Sequence, residues 1–307
     1  MDLDDLQVSS RPLYYLPFVR AVIDDLGITR VIDNLLPQDP RSTASHADSV
    51  CLLILSALDG RVALYRMNEW LAKVDYQVLM GEDCDPSAFH DARLGNTLDQ
   101  LYEVGTDTVM SEVVLGYLQH EERPRTYSVH ADTTSISLFG DHYEEAAGGI
   151  PGSPVPMLGF SKDHRPDLKQ LVFGLSLHGA VGIPLTYQLM DGNTSDHTFN
   201  RLHLDKLGEL LPKEDEVTVV ADCKFVDART LGKARQQGFH YVSLLPRTFS
   251  LQPQLVDEAY AQDGDFVELA REPGPRKGAP DRVYKGLCLR HPFEVLREGD
   301  ERDKAEH

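Results

Sequence analysis

The sequence predicts a mixed α/β fold in which a helical N-terminal region precedes a sheet-forming core. Apolar residues recur at helical spacing through most of residues 1–120. The pattern changes near Arg123 and Pro124, and strand-like and helical segments then follow in the order β-β-β-α-β-α-β. This order is typical of an α/β sheet that begins with antiparallel strands.

The N-terminal helices are defined by apolar spacing and by the residues that interrupt it. In residues 18–37 (FVRAVIDDLGITRVIDNLLP), Gly27 divides the pattern into two short helices and Pro37 ends the second. Residues 46–60 (HADSVCLLILSALDG) are apolar nearly all round, which predicts a central buried helix. Further helical patterns are LGNTLDQLYEVG and SEVVLGYLQHE. This region shows no catalytic constellation, so we expect a bundle that packs, binds DNA or dimerises.

In the second half of the chain, strands are predicted from alternating side chains and one helix is predicted from a capping residue. Residues 125–140 (RTYSVHADTTSISLFG) alternate and are rich in β-branched residues, which predicts a strand pair or hairpin. Residues 140–156 are a loop rich in glycine and proline. Residues 168–192 predict two strands around a glycine-containing turn. A helix then begins at a cap among residues 194–196, followed by a buried strand (EVTVVAD), another helix and a last strand (GFHYVSLLP).

These patterns divide the chain into a helical domain at residues 1–122, a core at 123–248 and a C-terminal segment at 249–307. In the last segment LQPQLVDEAY favours a helix, REPGPRKGAPDR is predicted to be a loop, and the tail is charged.

Composition limits the function. The chain has 307 residues, 49 acidic against 30 basic side chains, and a net charge of −19. Such a charge repels nucleic acid at long range, so DNA binding would depend on local basic patches. The four cysteines form no CxxC pair, and the sequence shows no secretory signal or apolar span of about 18 residues. We therefore expect a cytoplasmic protein without a membrane partner.

Two acidic residues lie at predicted strand positions where ligand-binding and catalytic side chains are common. Asp132 ends or interrupts a strand and Asp222 follows one, and ligand sites gather at strand ends in α/β sheets. Two such carboxylates are suited to Mg²⁺ and to phosphoryl transfer. The alternative is that both are turn or cap residues, with Asp222 capping a helix near Val226. His130 and Cys223 are interpreted as structural.

A basic segment stands out against the acidic background. Residues 159–170 (GFSKDHRPDLKQ) contain Lys162, His164, Arg165 and Lys169, which are suited to neutralising phosphates. The alternative is a solvated loop with local ion pairs between these residues and Asp.

Four segments together resemble a known family: HADTTSISLFG, GFSKDHRPDLKQ, GIPLTYQLMDGNTSD and VVADCKF. They are similar to the DDE transposases of bacterial and archaeal insertion sequences, in the IS-four superfamily and its IS-sixteen-thirty-four branch. The phrase SKDHRPDLKQ is the most specific, and LGITRVIDNLLPQDP, SHADSVCLLILSAL and RLGNTLDQLYEVG extend the resemblance to residues 15–250.

This resemblance implies a ribonuclease-H-like core with Asp132 as the first catalytic carboxylate and Asp222 as the second. Both would hold Mg²⁺ (or Mn²⁺), and the basic segment with Lys162, His164, Arg165 and Lys169 would meet DNA. The implied activity is phosphodiester hydrolysis at transposon ends followed by strand transfer into target DNA. The implied partners are double-stranded DNA and a second copy of the chain.

The resemblance also implies a third carboxylate, a Glu on a late helix beyond a β-rich insertion. None of the available glutamates lies in a matching context, so the third Glu is unassigned and we expect a C-terminally truncated chain. The glutamates considered are Glu258, Glu268, Glu272, Glu294 and Glu298. Three functions stay open: an active transposase, a non-catalytic DNA-binding relic or repressor of transposition, and a metal-dependent nuclease.

Overall fold

The computed structural model describes residues 10–38, 40, 42–81, 84–119, 124–140, 153–161, 164–262, 266–276, 279–292 and 295. The chain divides into two compact units, Met1–Pro124 and Arg125–His307. Among the described residues no helix is both long enough and apolar enough to span a membrane.

The first unit is helical. Gly27 separates the first two helices with a φ of 64°, a left-handed conformation that glycine adopts at little cost. Among its described residues the α-helices are α1 (Leu16–Asp25), α2 (Ile28–Leu35), α3 (His46–Asp59), α4 (Met67–Leu71), α5 (Tyr76–Met80), α6 (Asp91–Val104) and α7 (Thr106–Leu118). The division at Gly27 is the one that the apolar spacing predicts.

Helix α3 is central to the core of this unit. It begins with a capping box, in which the Asp48 amide donates to Ser45 Oγ and the Ser45 amide donates to Asp48 Oδ2. Cys51, Leu52 and Leu55 are fully buried against α1, α4 and α6 residues. The predicted buried helix is therefore confirmed at residues 46–59.

The second unit contains a five-stranded mixed sheet with the order β3-β2-β1-β4-β5. Strands β1, β2 and β3 are antiparallel neighbours, whereas β4 lies parallel to β1 and β5 parallel to β4. The elements in chain order are β1 (Thr126–Ser137), β2 (Gln170–His178), β3 (Pro184–Met190), α8 (Asp196–Leu210), β4 (Glu216–Val220), α9 (Ala228–Gln236) and β5 (His240–Val242). This confirms the predicted mixed α/β fold with a ribonuclease-H-like strand order.

The expected hairpin in residues 125–140 is wrong, because this segment forms the single long strand β1. Its alternation continues without a break, with Val129, Ala131 and Thr133 buried and the intervening side chains exposed or half-buried. No Gly or Pro interrupts the strand, so the chain has no turn there. Its antiparallel partner is β2, which comes more than thirty residues later.

Helix α8 packs against one face of the sheet at a glycine. A Cβ at Gly174 of β2 would lie 2.1 Å from a ring atom of Phe199 in α8. Phe199 also joins a cluster with Ala131, Val172 and Met190 of three strands. The absence of a side chain at Gly174 therefore lets the aromatic ring approach the sheet closely.

The C-terminal segment forms helix α10 (Leu251–Ala261) and a hairpin of β6 (Val267–Glu272) and β7 (Arg282–Gly286). The helix agrees with the prediction. The loop expected over residues 271–282 is shorter than predicted, because both strands extend into that stretch. All residues of β6 are exposed, so the strand lacks the buried face whose pattern makes strands recognisable in a sequence.

Candidate active site

The strand register brings Asp132 and Asp222 together. Strands β1 and β4 pair in parallel from Thr126 opposite Glu216 to His130 opposite Val220, a constant separation of 90 positions. Asp132 comes two residues after His130, and Asp222 comes two residues after Val220, so the two aspartates have the same separation. Neighbouring strands lie about 4.8 Å apart, so these carboxylates come from adjacent positions at the carboxyl end of β4.

The backbone keeps this register beyond the last residue of β4. Asp222 has an extended conformation (φ −70°, ψ 179°). The Ala221 amide donates to the Val242 carbonyl at 3.2 Å, and Ser243 Oγ donates to the Asp222 carbonyl at 2.6 Å. Because side chains alternate along extended chains, Asp222 shares the sheet face of Val220 and therefore of Asp132.

Asp132 lies on the exposed face of β1 with His130 and Thr134. Its Oδ1 accepts a hydrogen bond from the Thr133 amide at 2.7 Å. The Thr133 hydroxyl points to the opposite face, where it donates to Oδ1 of Asp196 at the first turn of α8 at 2.7 Å. Helix α8 thereby fixes the strand segment that carries Asp132.

Asp222 has a capping contact as well as its place beside Asp132. Its Oδ1 accepts from the Lys224 amide at 3.0 Å and caps a short 3-10 turn, Cys223–Phe225. The following helix α9 has a different cap, Asp227, whose Oδ1 accepts from the Arg229 and Thr230 amides. The capping interpretation of Asp222 therefore applies to the 3-10 turn and not to the helix, and the side chain stays exposed.

The two carboxylates fit a hard divalent cation in their chemistry. Both are exposed and adjacent, and Mg²⁺ prefers one or two carboxylates together with several waters. Among the described residues, no group of three His, Cys, Asp or Glu side chains is arranged around a metal position. The pair would thus supply two protein ligands.

The candidate third glutamates have other partners where they are described. Glu258 pairs with His291 at 2.8 Å, Glu268 pairs with Arg271 at 2.8 Å, and Glu272 accepts from the Tyr284 hydroxyl at 3.0 Å. Glu294 and Glu298 lie outside the described residues.

The basic segment is only partly described. Lys162 lies outside the described residues, and His164 is exposed at a turn with a φ of 56°. Arg165 donates two hydrogen bonds to Asp167, at 2.8 and 2.7 Å, and lies over the Phe139 ring. This contact raises the pKa of Arg165 and lowers that of Asp167. Lys169 directly precedes strand β2, and its carbonyl accepts a hydrogen bond from the Leu138 amide.

The two residues interpreted as structural have modest contacts. His130 Nε2 lies 3.1 Å from Ser128 Oγ, and the ring is exposed on the Asp132 face of β1. Cys223 is half-buried in the 3-10 turn.

The sequence did not reveal a cavity of about 360 Å³ that is lined by residues of β1, β2 and the start of α8. Its walls include Thr133, Asn193, Asp196 and Lys224, and the ring of Phe160 is 92% exposed beside it. Asn193 and Asp196 belong to the segment GNTSD, residues 192–196. The structure places both on this wall.

Two glycines fix the wall of this cavity. A Cβ at Gly159 would lie 2.2 Å from the Gly192 carbonyl oxygen, and a Cβ at Gly192 would lie 1.9 Å from the Gln170 carbonyl oxygen. Met157 and Gln170 also exchange two backbone hydrogen bonds. These contacts join segments far apart in sequence, so no local pattern predicts them.

Comparisons with known proteins give one domain family and several solved structures. Residues 8–115 match a family described as a domain of unknown function, DUF4277. No curated protein matches. A piggyBac transposase synaptic complex with hairpin DNA is similar at 10% identity and a TM-score of 0.41, over 89% of this chain and 60% of that one.

Two Mos1 structures are also similar at low scores. The Mos1 mariner paired end complex with Mn shares 11% identity over 75% of each chain, with a TM-score of 0.25. The Mos1 strand transfer complex shares 11% identity over 85% of this chain and 68% of that one, with a TM-score of 0.23. This chain spans 60% of the length of the piggyBac chain. The strand order described above, and not these loose similarities, defines the fold.

Proposed function

We propose that this chain is a DDE-type transposase of an insertion sequence, in the IS-four superfamily and its IS-sixteen-thirty-four branch. The observation that carries the proposal is the β1–β4 register, which makes Asp132 and Asp222 neighbours on one face of a ribonuclease-H-ordered sheet. The family-like segments around both residues support the same assignment. The proposed partners are double-stranded DNA and a second copy of the chain, as the resemblance implies.

The proposed reaction has two phosphoryl transfers. In the first, a water oxygen attacks the phosphorus at a transposon end, and the bond to the 3′ oxygen breaks to leave a free 3′-hydroxyl. In the second, this hydroxyl attacks a phosphorus of target DNA and displaces the 3′ oxygen there. Neither step forms a covalent bond to protein, so no Ser or Tyr nucleophile is required.

Asp132 and Asp222 are the residues that would hold Mg²⁺ or Mn²⁺. The bound ions would activate the attacking oxygen and stabilise the leaving one. The Thr133 and Lys224 amides each donate to one carboxylate and so orient it. Lys162, His164, Arg165 and Lys169 are proposed to contact the DNA backbone, with Arg165 exchanging Asp167 for a phosphate.

The test is nicking of a plasmid that carries the DNA flanking this reading frame, by the purified full chain in MgCl₂. We expect Asp132→Asn and Asp222→Asn each to lower the nicking rate by about 10²–10³-fold, because each removes a charged metal ligand. The matched control is Asp257→Asn, which changes an exposed aspartate on α10. Full activity in either catalytic variant would refute the assignment.

A second candidate is a non-catalytic binding protein, such as a relic or repressor of transposition. The observation that favours it is that Glu258, Glu268 and Glu272 are each paired with another side chain. The same experiment separates the candidates. Binding to the transposon ends without nicking by the wild-type chain supports the repressor, and nicking with no preference for the ends supports a nuclease.

A further inference from the structure

The charge of the helical unit is unevenly distributed. Residues 1–124 contain more than twice as many acidic as basic side chains. Yet residues 61–73 contain three basic residues, Arg61, Arg66 and Lys73, against the single acidic residue Glu69. This stretch is therefore a local positive region in an acidic unit.

The same residues surround a cavity of about 320 Å³ between the end of α3 and α4. Arg61, Arg66 and Lys73 lie on its walls together with Tyr65 and Trp70. Tyr65 is 77% exposed, whereas Trp70 is buried and donates from Nε1 to Asp59 at 2.7 Å. We refer to these five residues as the basic cavity.

The backbone that carries Arg61 is held in an uncommon conformation. Gly60 and Arg61 have consecutive positive φ values, 143° and 56°, directly after α3. The Arg61 amide donates to the Ser56 carbonyl at 3.0 Å, which ties this turn to the last turn of the helix. An arginine in the left-handed region costs conformational energy, and such positions cluster at functional sites.

One acidic residue, Glu69, also lines the cavity, and it is paired with Arg66. Two of the cations on the walls have no partner among the described residues. Arg66 donates from Nε to Glu69 at 2.9 Å, and Asp59 accepts from Trp70. Within the described part of the chain, Arg61 and Lys73 have neither an ion pair nor a side-chain hydrogen bond. Two uncommitted positive charges thus line one cavity beside a phenol hydroxyl.

We propose that the basic cavity binds a phosphodiester group of the DNA backbone. A guanidinium, an ammonium and a phenol that line one cavity suit a tetrahedral anion with several oxygens. The apolar surface of the neighbouring ring can contact the attached sugar. The choice of DNA rests on the proposed function. Since a net charge of −19 repels DNA, its binding requires a local site of this kind.

The test is binding of a fluorescent 30-base-pair duplex to the full chain, followed by anisotropy over a series of KCl concentrations without divalent metal. The variant is Arg61→Asn with Lys73→Gln, in which Asn tolerates the left-handed conformation. We expect affinity at low salt to fall about tenfold or more. The slope of log affinity against log salt should flatten by about 0.9, since each phosphate contact contributes about 0.9 and the cavity binds one phosphate.

The control is Arg30→Gln with Arg235→Gln, which removes the same charge from exposed positions elsewhere. It should change the affinity little and leave the slope intact. If both double variants behave alike, or if neither changes binding, the basic cavity is not a DNA site. Inorganic phosphate is the second probe. A variant that loses only phosphate binding, with unchanged DNA binding, would also overturn the proposal.

This outcome is separable from that of the catalytic assignment. The binding assay contains no divalent metal, so it measures DNA binding without the nicking reaction. If the aspartate variants nick DNA normally while the Arg61–Lys73 variant loses binding, the proposed function fails and the basic cavity stands.

Discussion

At the scale of single residues, the buried histidine His203 makes the stability of the core depend on pH. It is fully buried in α8, where its ring stacks on Phe199 with centroids 5.2 Å apart. Burial, and to a lesser extent the charge of Lys206, lowers the pKa of His203 to about 3. The imidazole is therefore neutral in the folded protein over the ordinary pH range.

The sign of the effect follows from this shift. Below pH about 6.5 the unfolded chain takes up a proton at His203, whereas the folded chain does so only near pH 3. The free energy of unfolding is thus expected to fall by up to about 1.4 kcal/mol per pH unit as the pH decreases through this window. Urea unfolding of wild type and His203→Leu from pH 7.5 to 4.5 should show a difference that grows in favour of the variant. A constant difference would contradict the prediction, and exposed His164→Leu serves as the control.

At the scale of elements, the contact between β2 and α8 depends on Gly174. Because an added Cβ would lie 2.1 Å from the Phe199 ring, Gly174→Ala must displace the helix or the ring. We expect a loss of about 1–3 kcal/mol in the free energy of unfolding. Gly95→Ala in α6 is the matched control, since a Cβ there meets no atom within 4 Å. It should stabilise its helix by about 0.5–1 kcal/mol. Chemical denaturation of both variants measures these changes. An unchanged free energy of unfolding in Gly174→Ala would refute this account.

Most elements of this fold could be predicted because their signals are local. Apolar periodicity and a breaking glycine define α1 and α2, and Ser195 caps α8 within the predicted residues 194–196. The hairpin prediction for β1 failed because alternation and β-branched residues indicate a strand but do not show whether its partner is the adjacent segment or a distant one. Asp132 and Asp222 can be identified as candidates from the sequence because each lies within or directly after a predicted strand. Their adjacency follows from a register between segments 90 residues apart, which is a long-range property.

At the scale of the whole molecule, the net charge of −19 acts on folding and on DNA binding in opposite ways. Repulsion among excess carboxylates destabilises the compact state, and salt screens it, with a screening length that falls from about 30 Å at 0.01 M to about 8 Å at 0.15 M. We expect the thermal midpoint of unfolding to rise as KCl increases over this range. Over the same range, affinity for DNA should fall steeply because phosphate contacts release counterions. Parallel thermal unfolding and anisotropy titrations measure both quantities. A midpoint that falls with KCl would show that attractive ion pairs, such as Lys233 with Asp205, outweigh the repulsion.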